Sequence, residues 1–420
     1  MREILQPIHI TKLVPGGQGL GELPDGKKAF VWNALPGEDV LARIFKRRPS
    51  YVEAIAEKIV RVAPERVVPC EANYLATSPW QIMTFDAENR YKKNIAEDIL
   101  GQYDITVPVV NGTTHDASEW HYRNKMEYSF WGDDDGLHAA LYRRSSHGKQ
   151  PVTGSALAMP VVDAGMDSIR VLLEKANVRA GQLKTIIVRS TQDGIAAASL
   201  FVKTESFQRL ELPPVLQGLK VYYSNPKSPA SVCTKLLYEL GSSKLTDTLL
   251  GRVFYYDVDS FFQVNVPVFQ LAVQHIKEKF AGNELVDMYA GVGSIGLSVA
   301  TRSVDLVELD AASVAMARRN AEGMDVQGNI VEASAERALQ YISGDKTIIF
   351  DPPRAGLHEK IVNRVQEAKP PHIAYLSCNP VTQARDLAML RGVYTMSYFE
   401  VFNFFPHTPH IETLAILERV

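Results

Sequence analysis

Cysteine is scarce: three residues in 420, Cys70, Cys233 and Cys378, lie far apart with no Cys-x-x-Cys pair. That excludes a disulfide framework and a four-cysteine metal site, and it fits a reducing cytoplasm. Net charge is nearly absent too, -3 from 45 basic and 48 acidic residues. No global positive field announces nucleic acid, although one domain can still carry a basic face. No apolar run approaches the ~20 residues of a membrane span. The opening MREILQPIHI has no apolar core behind a basic end, so it does not read as a signal peptide. Internal repeats and low-complexity tracts are lacking as well. What remains is an ordinary globular composition, 46% hydrophobic and 22% charged, long enough for about two to four domains.

Residues 1–60 read as short strands between turns. Pro15-Gly16-Gly17 and Pro24-Asp25-Gly26 are turn signals, and Ala29–Trp32, Val40–Phe45 and Tyr51–Ile59 read as strands. This pattern predicts a small β-barrel, a common platform for RNA. Arg43, Lys46, Arg47 and Arg48 form its basic edge, or a solvated hairpin tip. Pro64 and Pro69 mark a linker. Residues 86–100 predict a helix with Tyr91, Ile95, Ile99 and Leu100 on one face, Lys92 and Lys93 elsewhere, Asp86 as N-cap and Gly101 as stop.

Residues 120–250 read as an α+β region: a hairpin from Tyr128–Trp131 and Leu137–Tyr142, a helix over Met166–Ala176, and strands at Ile186–Val188 and Ala196–Val202. Tyr122-Arg123-Asn124-Lys125 and Tyr142-Arg143-Arg144 interleave aromatics with cations, which suits single-stranded RNA through stacking and phosphate contact. An ordinary charged hairpin reads equally well.

From about residue 251 strands and helices alternate, predicting an α/β doubly wound parallel sheet. Leu285–Tyr289 is a strand, followed by the glycine loop Ala290-Gly291-Val292-Gly293-Ser294-Ile295-Gly296. The next strand ends in Glu308, placed to accept hydrogen bonds from ribose hydroxyls. Loop and acid together fit an adenosine-bearing cofactor, with NAD and S-adenosylmethionine both open. Another strand ends in Asp351-Pro352-Pro353-Arg354, whose prolines stiffen a loop where a planar base could sit. Ile373–Leu376 is a further strand, and Cys378 stands at its exit before the Asn379-Pro380 turn. Ligands of such sheets bind outside the carboxyl ends of the strands. A cysteine there is either a nucleophile or a buried structural residue.

At this point the chain resembles the RNA uridine-5-methyltransferase family. The matching stretches are SFFQVN (260–265), DMYAGVGSIGL (287–297), VELD (307–310), DPPRAGL (351–357), YLSCNP (375–380) and FPHTPHIET (405–413). Residues 1–60 resemble the RNA-binding TRAM barrel of many members. YRNKMEYSF (122–130) and YRRSSH (142–147) resemble the central RNA-binding domain. The resemblance implies a TRAM-like barrel over 1–60 and a central RNA-binding domain over 61–85 and 121–250. It implies a Rossmann-like methyltransferase domain over 86–120 and 251–420.

It also implies the chemistry. Carbon 5 of uracil is a poor nucleophile, and a thiolate adding to carbon 6 converts the base to an enolate that can attack a sulfonium methyl group. A base must then remove the carbon 5 proton so that the thiol is expelled. Cys378 matches the family's nucleophile and Glu412 its general base. Gln263, Tyr289, Gly291, Gly293, Ser294, Glu308 and Asp351 match positions binding S-adenosyl-L-methionine. Members often have Asn where this chain has Ser294, and Glu332-Ala333-Ser334 leaves the adenine contact open. Several relatives hold an iron–sulfur cluster on four cysteines; this chain has only Cys70 after the barrel, so no cluster is expected. His407-x-x-His410-x-Glu412 has a metal-like spacing, but no metal is expected. The resemblance favours 23S ribosomal RNA as partner, with the T-arm of transfer RNA second, and a cytoplasmic monomer without a membrane partner. The rivals are a non-catalytic RNA-binding or chaperone protein and an adenine amino-methyltransferase, which does not need Cys378.

Overall fold

A computed structural model describes residues 5–108, 112–144, 146, 148–228 and 230–420. Residues 1–4 of the predicted barrel, and Ser145 and His147 of the YRRSSH stretch, lie outside the described residues.

Strands β1 (Gln6–Leu13), β2 (Gly19–Glu22), β3 (Lys28–Trp32), β4 (Asp39–Arg47) and β5 (Tyr51–Arg61) close a barrel in the order β1-β2-β3-β5-β4. Alternate residues point inward, among them Ile8, Ile10, Val40, Ala42, Val52, Ala54 and Ala56, as the two-residue period of a strand requires. The barrel is tight enough to demand glycine at 21, where a Cβ would fall 2.4 Å from Ile8 and from the His9 carbonyl oxygen.

The segment after the barrel is packed rather than a bare linker. The Arg66 guanidinium meets the wholly buried Glu38 carboxylate at 2.6 and 2.9 Å. The Trp80 indole donates to the Gly17 carbonyl at 3.0 Å. A single turn, α1 (Tyr74–Thr77), lies between them in sequence. Removing one partner of a buried pair leaves a desolvated charge, so Arg66→Ala is expected to cost about 3 kcal/mol of stability, measurable by denaturant titration.

Helix α2 (Phe85–Gly101) starts one residue before Asp86, because Thr84 is the N-cap and its hydroxyl accepts from Ala87 N. Its buried face differs from the predicted one. Glu88, Lys92, Ile95 and Ile99 share a stripe at helical spacing, and Lys92 is fully buried. Strand β6 (Thr113–Thr114) follows and pairs with the edge of the large sheet.

The central region holds β7 (Lys125–Asp133), β8 (Gly136–Tyr142), β9 (Lys149–Pro151), α3 (Pro160–Lys175), β10 (Leu183–Ser190), β11 (Ala196–Val202), β12 (Leu216–Tyr223) and β13 (Lys235–Gly241). The strands form one sheet, β13-β12-β11-β10-β7-β8-β9. Helix α3 begins six residues before the expected Met166, because Pro160 suits the first helical position. From there Val162, Gly165, Met166, Ile169 and Leu173 make one buried stripe. A hairpin, β14 (Lys244–Leu249) and β15 (Arg252–Asp257), then leads onward.

The last part alternates α4 (Val266–Phe280), β16 (Glu284–Met288), α5 (Ser294–Val299), β17 (Ser303–Glu308), α6 (Ala311–Ala321), β18 (Ile330–Glu332), β19 (Thr347–Phe350), α7 (Glu359–Ala368), β20 (His372–Ser377), α8 (Pro380–Leu390), β21 (Tyr394–Phe402) and β22 (Glu412–Arg419). The eight-stranded sheet has the order β18-β17-β16-β19-β20-β22-β21-β6. β18 to β20 run parallel, and β22 enters antiparallel against β20. Apolar clusters cover both faces, which explains why the parallel strands read as unbroken apolar runs. No helix among the described residues is long and apolar enough to cross a membrane.

Candidate active site

The site follows from where the chain changes direction. From β16 it winds outward through β17 to β18, then returns to place β19 on the other side of β16. The two directions leave a crevice at the carboxyl ends of β16 and β19, the place where such sheets take ligands. Tyr289, just after β16, has φ 82°, and Gly291 and Gly293 have φ 55° and 83°. A side chain in the left-handed region at Tyr289 costs energy and persists where its surroundings impose it, as at binding sites. Glu308 closes β17 with one carboxylate oxygen accepting from Gly291 N and the other from Asp310 N, each at 2.8 Å. Buried Asp287 accepts from Gly296 N at 2.8 Å, while its Oδ1 is buried without a partner. Burial, and secondarily the Glu308 charge, raises the Asp287 carboxyl to about 7. Ser294 is the first residue of α5.

These residues fit an adenosine-bearing cofactor. A carboxylate stands at the strand end with backbone amides already oriented. A Cβ at Gly291 would meet nothing within 4 Å, so the loop faces open space.

Gln263 is held from two sides. The Arg189 guanidinium, almost wholly buried, donates to the carbonyls of Ser260 (2.5 Å) and Phe262 (3.1 Å). Asn124 donates from its side chain to Gln263 O at 3.1 Å and from its backbone to Val264 O at 3.0 Å. Asn265 caps α4 and donates to Phe404 O. The central sheet thus grips the SFFQVN segment through Arg189 on β10 and Asn124 just before β7.

Cys378 and Glu412 meet through strand register. Ser377 at the end of β20 pairs with Thr413 on β22. Cys378 follows Ser377 at the strand exit and Glu412 precedes Thr413 as the first residue of β22, so the two lie at the same end of this antiparallel pair, and the Glu412 charge acts on the Cys378 thiol. Asp351 follows Phe350, which pairs with Tyr375 on the same β20. Arg354 ties the two loops: its carbonyl accepts from the Asn379 amide at 2.9 Å and the Thr382 hydroxyl at 3.2 Å. Its guanidinium donates to His410 Nδ1 at 3.1 Å.

Burial sets the protonation here. It raises the Asp351 carboxyl to about 7, with Asp287 adding to the effect. It raises Glu412 well above the ordinary carboxylate range, with Asp351 adding and Arg354 and Lys92 opposing. It pushes the Cys378 thiol up to about 11, reinforced by Glu412 and Asp351 and opposed by Arg354. His410 falls to about 4 through burial and the Arg354 charge, so it is neutral and free to accept from Arg354. Without ligands, Cys378 is therefore a thiol at neutral pH. Its alkylation by iodoacetamide, followed by peptide mass mapping, is expected to accelerate about tenfold per pH unit up to pH 10. A plateau reached by pH 8 would contradict this.

The basic residues expected to meet RNA are dispersed. Arg43 pairs with Glu57 at 2.8 Å and Lys46 with Glu53 at 2.5 Å. Arg47 and Arg48 are exposed at the β4–β5 turn, and Arg143 is exposed after β8. Arg123 donates to Lys125 O, and Lys125 is lowered to about 8 by burial and then by the charge of Arg189. Arg144 stacks 4.1 Å over Trp32 of the barrel and donates to Leu75 O at 2.5 Å. The charges of Arg123 and Arg144 also help to lower His410, after burial, Arg354 and Lys92. Sequence reasoning missed Arg189 and the buried Lys92. For Lys92 a signal existed, since it lies four residues after Glu88 on the Ile95–Ile99 stripe.

The family model for tRNA (uracil-5-)-methyltransferases matches residues 87–420. An uncharacterized RNA methyltransferase of Enterococcus faecalis is 30% identical over 445 residues, covering 98% of this chain and 96% of that protein. One from Lactobacillus johnsonii is 30% identical, with 98% of each covered. The crystal structure of Pyrococcus abyssi tRNA (uracil-54, C5)-methyltransferase in complex with S-adenosyl-L-homocysteine superposes with a TM-score of 0.78 at 25% identity, covering 97% of this chain and 99% of that one. By matched span and by similarity along nearly the whole length, the chain belongs to the tRNA (uracil-5-)-methyltransferase family.

Proposed function

We propose that this protein methylates carbon 5 of a uridine in RNA, with S-adenosyl-L-methionine as methyl donor, Cys378 as nucleophile and Glu412 as general base. The observation that supports the reading is the antiparallel β20–β22 pair, whose Ser377–Thr413 register brings the residue after β20, Cys378, and the first residue of β22, the buried Glu412, to the same end of the sheet. Glu308, Tyr289, Gly291, Gly293, Ser294, Gln263 and Asp351 would hold the cofactor, whose sulfonium supplies an electrophilic methyl group.

Each step follows from a residue's chemistry. The Cys378 thiolate adds to carbon 6, and the displaced π electrons make carbon 5 nucleophilic. Carbon 5 takes the methyl group. Glu412 accepts the carbon 5 proton, the electrons of that bond restore the ring double bond, and the carbon–sulfur bond breaks with its pair returning to Cys378. A base with a raised pKa suits this task, because a weakly solvated carboxylate binds a proton more strongly than one in water. Arg354, the adjacent positive charge, opposes the burial that disfavours the thiolate.

The barrel at residues 5–61 reads as the TRAM-like module, with Arg47 and Arg48 at its exposed turn. Arg354, with Arg123 and Arg144 close enough to act electrostatically on the same His410, would serve as phosphate partners. Large-subunit ribosomal RNA is the favoured substrate by resemblance, and transfer RNA is the second because the Pyrococcus abyssi structure is of a tRNA methyltransferase. The test incubates purified protein with methyl-labelled S-adenosylmethionine and each RNA class, then digests to nucleosides. Labelled 5-methyluridine supports the reading and identifies the RNA. Label in N6-methyladenosine, surviving in Cys378→Ala, overturns it.

A further inference from the structure

Helix α2 carries a buried lysine that the reaction as described does not use. Lys92 and Glu88 have no exposed side-chain surface and form an i,i+4 ion pair at 2.8 Å. Isolated charges are seldom buried so completely, because desolvation is costly unless every charge is matched. Here the matching partners all belong to one segment. Lys92 Nζ donates to Asn403 Oδ1 at 2.6 Å and to Phe405 O at 2.9 Å. Glu88 accepts from the Asn403 amide at 3.0 Å and from His407 N at 2.8 Å. The segment between β21 and β22 is thus fastened at Asn403, Phe405 and His407, five residues before Glu412. It needs fastening, because His407 adopts φ 60°, a left-handed conformation costly for a side-chain-bearing residue.

The same lysine is an electrostatic neighbour of the base. The charged groups acting on Glu412 are Asp351 and Arg354 from the loop after β19, and Lys92 from α2. Asp351 disfavours its carboxylate form, and Arg354 and Lys92 favour it. Arg354 also meets His410 and, through its carbonyl, the turn after Cys378. Apart from its pair with Glu88, Lys92 donates its hydrogen bonds to the loop that leads to Glu412.

We propose that the Lys92–Glu88 pair is a positioning device for Glu412, specific to the proton-removal step that frees the RNA from Cys378. It fixes the 403–411 loop from which Glu412 enters β22 near Cys378, and the Lys92 charge favours the Glu412 carboxylate. It acts through Glu412 and does not touch the base. The inference rests on the covalent reading above.

The test uses the full-length protein with uridine RNA and methyl-labelled S-adenosylmethionine. Lys92→Met removes the charge but strands Glu88, so the paired variant Glu88→Gln/Lys92→Met, which keeps a neutral hydrogen-bonding group against Asn403 and His407, is measured beside it. The expected result in the paired variant is a first methyl transfer close to the wild-type rate. Release then slows by about a hundredfold, the low end of what a positioned base contributes, and a denaturation-resistant protein–RNA adduct accumulates. A general loss of packing moves both phases together. Equal slowing of transfer and release, or unchanged turnover, therefore overturns the proposal. Wild-type protein trapped with 5-fluorouridine RNA runs in parallel. No adduct there refutes the covalent reading itself, and an adduct there isolates any failure to Lys92.

Discussion

Glu412→Gln is expected to leave the enzyme joined to methylated RNA. Glutamine keeps the size and hydrogen-bonding capacity of glutamate but cannot accept the carbon 5 proton. The adduct then lacks its exit, and turnover falls by roughly 10²–10⁴-fold, the usual range for a positioned base. The first half of the reaction does not suffer, because addition of the thiolate and transfer of the methyl group need no proton acceptor at Glu412. The signature is therefore a burst of one methyl group per enzyme, then a stalled species that survives denaturing electrophoresis and disappears with nuclease. Loss of the burst together with turnover would assign Glu412 to an earlier step.

Cys378→Ala is expected to have the larger effect. With no nucleophile at carbon 6, carbon 5 lacks the electron density to attack, and methylation falls by roughly 10⁴-fold or more, the scale of removing a nucleophile from a cooperating set. Stability changes little, because Cys378 is half-buried at a strand exit and contributes no large apolar area to the sheet. Cofactor affinity is expected to persist, since Glu308 and the glycine loop lie across the crevice on β16 and β17. Calorimetric titration with S-adenosylhomocysteine and a methylation assay on one preparation separate the two effects. Retained methylation would favour the adenine amino-group reading, which needs no thiol. Absent methylation in wild type and variant alike, with RNA bound tightly, would favour a binding protein.

Local chemistry was legible wherever it was local in sequence. The glycine loop, Glu308 at the next strand end and Asp351 before two prolines announce a crevice, because each is fixed by its own strand–loop–helix unit. The Cys378–Glu412 encounter is of another kind. It depends on β22 inserting antiparallel beside β20, and no spacing between residues 378 and 412 reveals that; the resemblance supplied Glu412. Lys92 reads as lying off the apolar face because that face is drawn through Tyr91 and excludes charges, although its spacing from Glu88, Ile95 and Ile99 puts it on the buried stripe. Its partners Asn403 and Phe405 are more than three hundred residues away. Arg144 looked like a hairpin cation and instead stacks on Trp32, a contact set by how the barrel meets the central sheet. Helix α3 was shortened because its first turns, Pro160 to Gly165, carry too little apolar bulk to announce a stripe.

The central claim, a covalent bond between Cys378 and uracil carbon 6, is tested most directly with RNA carrying 5-fluorouridine in place of uridine. Fluorine cannot leave carbon 5 as a proton does, so the intermediate cannot resolve. A stable protein–RNA adduct is expected that requires S-adenosylmethionine for full accumulation, carries the methyl group, and maps by peptide mass spectrometry to Cys378. A preparation that makes 5-methyluridine in ordinary RNA yet forms no adduct with the fluorinated RNA, or forms it at another residue, would contradict the account.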